Sequence, residues 1–148
     1  MAFVFSTHGL YYLLNSAITG TTDIRCGVLT NAGTLTAAQI RDTDNVSNLL
    51  ALSGLVEASG TGYARQDLAG VALTEQDASD NVVLTATAPT MTNVAAGQTW
   101  RNVFYYIEAG TDATRNMIGV DTPATTLAPN GGNVTLPALS VTISDTSP

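Results

Sequence analysis

At 148 residues, with a formal net charge of −7, one histidine, one cysteine and no lysine, the chain is long enough for one packed domain and poor in reactive groups. Charged residues are 11% of it, against about 25% in soluble domains at large, and Thr, Ala, Asn, Ser and Gly fill the deficit. Five scattered arginines cannot supply the dense cationic face that phosphates demand, so nucleic acid and anionic membrane surfaces are excluded as partners.

In chain order, the N-terminal run Ala2-Phe3-Val4-Phe5 is apolar but carries no positive region before Arg25, which argues against a secretion signal and for a protein kept in the cytoplasm where it is made. Residues Leu10, Leu13, Leu14, Ala17 and Ile18 recur at helical spacing, with Ser6 or Thr7 as cap. A strand over Asp23 to Thr30 follows, with Ile24, Cys26 and Val28 on one face and Arg25 on the other. Thr36-Ala37-Ala38-Gln39 has the form of a capping box and opens a second helix. That helix restarts at Val46 and ends by Gly54, burying Leu49, Leu50 and Leu52.

After Gly54 the apolar period moves towards two. Strands are expected near Leu55–Ser59, Tyr63–Leu68, Val71–Thr74, Val82–Ala88, Thr99–Ala109, Asn116–Val120 and Asn133–Ile143, separated by Gly-, Asn- and Asp-rich turns. Thr99–Ala109 is apolar on both faces, with Trp100, Asn102, Phe104, Tyr106 and Glu108 on one and Arg101, Val103, Tyr105, Ile107 and Ala109 on the other; it should be central and covered twice. In Asn133–Ile143 the apolar parity flips at Pro137-Ala138, where a bulge or sheet-switching bend is expected. The fold class is therefore mainly β, an antiparallel β-sandwich or jelly roll with one or two short helices in the N-terminal third. Residues 1–54 form a mixed region, either an arm or part of the same domain, and 55–148 an antiparallel β-domain.

Chemistry is scarce. His8 and Cys26 lie in no nucleophile motif, and zinc needs about four N or S ligands where the chain has two. Asp42-Thr43-Asp44-Asn45 and Asp77-Ala78-Ser79-Asp80-Asn81 do not fit a calcium loop. Gly60-Thr61-Gly62 lacks the spacing of a phosphate loop and reads as a hairpin turn. Among the glutamates, Glu108 ends the aromatic strand, where it would serve a sugar site with Trp100, Tyr105 and Tyr106, or pair with an arginine. No catalytic, cofactor-binding or metal residue is assigned, and the chain is read as a non-enzyme. The neutral Thr/Asn surface and all-arginine cation set favour lasting contacts with other subunits. Tyr63 with Arg65, Arg101, Tyr105, and Phe3 and Phe5 in the N-terminal run are the interface candidates. Arg65 and Arg101 should face water or a carboxylate, because neither would be buried unpaired.

Three segments together resemble virion proteins of tailed bacteriophages: Gly60-Thr61-Gly62-Tyr63-Ala64-Arg65-Gln66, the strand Trp100-Arg101-Asn102-Val103-Phe104-Tyr105-Tyr106-Ile107, and Pro129-Asn130-Gly131-Gly132-Asn133-Val134-Thr135-Leu136-Pro137. The resemblance spans about Leu55 to Ile143 and rests on strand patterns. It implies a capsid decoration or cement protein in the virion, holding the major capsid protein or copies of itself as a dimer or trimer. A tail or tail-fibre component is the alternative within that family. A carbohydrate-binding or adhesive β-module stands outside it and would need Trp100, Tyr105 and Tyr106 exposed on one flat face.

Overall fold

The computed structural model describes residues 4–5, 23–30, 35–76, 81–123 and 125–144. The helix expected over Leu10 to Ile18, His8 and Phe3 lie outside the described residues. The described elements run β1 (Val4–Phe5), β2 (Ile24–Leu29), α1 (Ala37–Arg41), α2 (Val46–Leu50), β3 (Gln66–Asp67), β4 (Ala72–Gln76), β5 (Asn81–Ala86), β6 (Thr90–Met91), β7 (Asn102–Ile107), β8 (Asn116–Asp121), β9 (Val134–Thr135) and β10 (Leu139–Ser144). The chain is mainly β, in three antiparallel sheets that stack in a sandwich-like way. Among the described residues no helix is long and apolar enough to cross a membrane.

The larger sheet has the order β1-β8-β7-β2-β3, so β7 is central. Its alternating side chains feed two cores. Val103 and Tyr105 join Ile24, Cys26 and Val28 of β2 and Ile118 of β8 in one core, where they meet Leu84 and Ala86 of β5, Leu139 and Val141 of β10, and Met91 of β6. Phe104 and Tyr106 point the other way, onto Leu29, Met117 and Val120 and the helical residues Ile40, Val46 and Leu49. A strand covered on both faces has no polar alternation, which is why β7 reads as a continuous apolar run.

A register shift between Tyr105 and Tyr106 lets Met117 pair with Tyr106 while Gly119 pairs with Tyr105. The extra residue, Ile118, turns into the first core, and Met117 and Val120 both stay on the helix side. Trp100 departs from the expected alternation: it lies ahead of β7, bridges Leu127 and packs into the first core with the odd-numbered residues.

The helices form where their caps dictate. The Thr36 hydroxyl accepts from the Gln39 amide N–H, and the Gln39 side chain accepts from the Thr36 N–H at 2.9 Å. Asn45 caps α2 through the Asn48 N–H at 2.9 Å. Val46 and Leu49 are buried, whereas Leu50 and Leu52 only flank the second core.

Residues either side of Gly54 share one sheet, since β2 pairs with β7 along its whole length and β1 pairs with β8. The change in composition near Gly54 is thus no boundary within that sheet. The stretch Leu55–Ser59 makes only a bridge, Leu29 to Glu57, beside β2. The sheet switch at Pro137-Ala138 is as expected: β9 pairs with β6 and β10 with β5. The short strand β6 has no counterpart in the sequence reading.

Candidate functional site

The described side chains that carry charge and converge run along β2 and over the helix-side face of β7. Glu57 is held there because its segment hydrogen-bonds along the end of β2, with Thr30 N–H donating to Val56 O at 2.8 Å and Ala58 N–H to Val28 O at 2.8 Å. The turn through Gly60 and Gly62, both at positive φ, then brings Tyr63 and Arg65 back beside it. Gly62 is required at its position, because a Cβ would meet the backbone of Thr92 and Asn93.

Arg65 grips two carboxylates at once. Its Nε and Nη2 donate to the two oxygens of Glu57, each at 2.7 Å, and its Nη1 and Nη2 donate to Asp112 at 2.5 and 3.0 Å. The guanidinium carbon lies 5.5 Å from the Phe104 ring centre and 5.4 Å from that of Tyr106. Arg115 continues the chain, donating to Asp112 Oδ1 at 2.7 Å and Glu108 Oε1 at 2.9 Å. Arg25 closes it, reaching Glu108 at 3.3 Å, Asp67 at 2.6 Å and Asp23 at 3.1 Å. The result is a ladder of alternating charge that ties β2, β3, the Glu57 segment and the loop between β7 and β8. That loop in turn seats α2, since Ser47 N–H donates to Asp112 O and Val46 N–H to Arg115 O.

The electrostatics follow from this geometry. Hydrogen bonds from Arg65, and then Arg115, hold the Asp112 carboxyl down at about 2 against the opposing effect of burial. Burial works against ionisation of Glu108, but hydrogen bonds from Arg115 and from the Gly110 N–H, together with nearby Arg25, keep its carboxyl below the ordinary value. The Arg65 guanidinium is raised, first by its hydrogen bonds to Glu57. The Tyr63 hydroxyl donates to Glu57 at 2.8 Å and accepts from the Val28 N–H at 3.1 Å. Burial, then the charge of Glu57, raises its pKa. Cys26 is fully buried, and burial pushes its thiol up to about 12.

The interface candidates separate accordingly. Tyr63 and Arg65 are brought together, but onto Glu57 of their own chain. Arg101 is exposed. Tyr105 is 1% exposed, and this corrects its assignment to an interface: it belongs to the odd face of β7, inside the first core. Phe5 pairs through its backbone with Gly119 at the edge of the larger sheet. Trp100 and Tyr106 are also 1% exposed, so these aromatics offer no flat platform to a sugar. Glu108 takes the arginine-paired alternative. Asp112 and Arg115 were not singled out by sequence. Their spacing of three residues and that of Glu108, seven before Arg115, are local signals, but Arg65 lies 47 positions from Asp112.

Among the described residues no group of three or more His, Cys, Asp or Glu is placed to hold a metal ion. No family model, curated protein or solved structure matches the chain.

Proposed function

We propose that this chain is a non-enzymatic virion structural protein, a capsid decoration or cement protein that seats on the assembled major capsid lattice and stabilises it by bridging subunits. The observation that carries the reading is how the fold uses its charge. Arg25, Arg65 and Arg115 are engaged with carboxylates of their own chain, while outward strand positions such as Ala72, Thr74, Ser140 and Thr142 are exposed and neutral. A braced sandwich with a neutral, hydrogen-bonding exterior suits many weak, lasting contacts, which multiply when several copies engage one shell. The resemblance of three sequence segments to tailed-phage virion proteins suggests the setting.

A tail or tail-fibre component is the second reading within that setting. The carbohydrate-binding reading loses its support with the burial of Trp100, Tyr105 and Tyr106. Binding of the purified protein to expanded empty capsids and not to tails is the expected result. Binding to tails alone would favour the second reading, and binding to neither would overturn the virion assignment.

A further inference from the structure

The three-stranded sheet has the order β10-β5-β4, and β4 pairs with β5 alone among the described residues. Natural edge strands are usually protected by lysine, proline or a bulge. β4 has no lysine or proline, and its register with β5 runs unbroken from Ala72 opposite Thr85 to Gln76 opposite Asn81. Ala72, Leu73 and Thr74 are all exposed, Leu73 by 38%, and among the described residues no strand pairs along the outer edge.

The charge of this sheet selects its partner. β4, β5 and β10 contain no cation, and Glu75 is their only charged residue. No Lys or Arg occurs between Arg65 and Arg101. A second copy would bring an equally acidic chain, of net charge −7, to the same edge. A strand of five residues also buries far less than the roughly 1,000 Å² that a stable pair of free proteins needs. An extended segment bearing Lys or Arg meets neither objection: it adds main-chain hydrogen bonds, brings cations to strands that contain none, and gains effective affinity from being one of many contacts.

We propose that the edge Ala72–Glu75 is a strand-addition site for an extended, basic segment of a neighbouring subunit. The proposal takes its setting from the virion reading and deepens it. The test uses the full chain and a short capped peptide of alternating Thr and Val with lysine at both ends, beside its glutamate counterpart. Hydrogen exchange is read residue by residue. The lysine peptide should slow exchange at Ala72–Thr74 severalfold and the glutamate peptide should not. Glu75→Lys should reverse that preference in a chain that keeps its fold, and Thr74→Pro should abolish protection by either peptide.

No slowing, equal slowing by both peptides, or slowing confined to other strands would overturn the proposal. So would concentration-dependent protection of β4 without peptide, which would put a second copy there. The two readings fail separately. A chain abundant in particles but indifferent to the peptide removes the docking site alone, and a chain that takes the peptide but is absent from particles removes the virion assignment alone.

Discussion

Removing Arg65 should destabilise this protein more than removing any other arginine. In Arg65→Ala, Glu57 loses both of its guanidinium bonds, Asp112 loses two of its own, the Phe104 ring loses the cation over it, and Tyr106 keeps only Arg115. Fully buried pairs cost about 3–5 kcal/mol when one partner is removed, and exposed pairs about 0–1. The Arg65 side chain is 17% exposed, Glu57 21% and Asp112 35%, between those limits. Water can reach Asp112, which also keeps Arg115, and Glu57 keeps the Tyr63 hydroxyl, so the estimate is discounted. The expected loss is about 2–3 kcal/mol, a fall in Tm of roughly 6–9 °C for a domain of this size. Arg65→Lys keeps the charge without the two-pronged geometry and should lie about halfway. Arg101→Ala, at an exposed position, should change stability by less than about 0.5 kcal/mol. Urea unfolding of the three variants measures this directly. An Arg65→Ala loss no larger than that of Arg101→Ala would refute the claim that the ladder braces the fold.

Acid should unfold the protein through the same groups. Asp112 is held at about 2 and Glu108 is also lowered, so their stabilisation is complete above the ordinary carboxylate range and is lost as pH falls from about 4 towards 2. Asp112→Asn should flatten that limb of the pH–stability curve, and an unchanged slope would contradict the assignment. Gly27→Ala should cost about 1–3 kcal/mol, because the new Cβ would overlap the buried Phe104 ring that pairs across from it, and equilibrium unfolding reads the loss. With its thiol pushed up to about 12, Cys26 should ignore a thiol reagent at pH 8 in the native state and react on unfolding; rapid native labelling would show that its burial is wrong.

Much of the architecture was legible because it is written locally. The Thr36–Gln39 box, the two apolar faces of β7 and the parity flip at Pro137 each need only a few neighbouring residues, and each corresponds to a feature of the fold. The misses are of another kind. Trp100 was assigned to the even face because alternation was carried back past the point where β7 begins. β6 is two residues long, too short for any period to register. The ladder was legible only in part: an arginine at Arg65 must find a carboxylate, but the choice of Asp112, 47 positions away, is made by the fold. Tyr105 shares the odd-numbered face with Arg101, a pairing of residue types that suits an interface, whereas its position on β7 puts it in a core.

The central claim is that this protein works by holding neighbouring subunits together. Quantitative mass spectrometry of purified phage particles, giving the number of copies of this chain against the major capsid protein, tests it most directly. The account predicts a copy number that scales with the shell, of the order of hundreds per particle. A handful of copies would move the chain to the tail or a vertex, and its absence from particles would contradict the account.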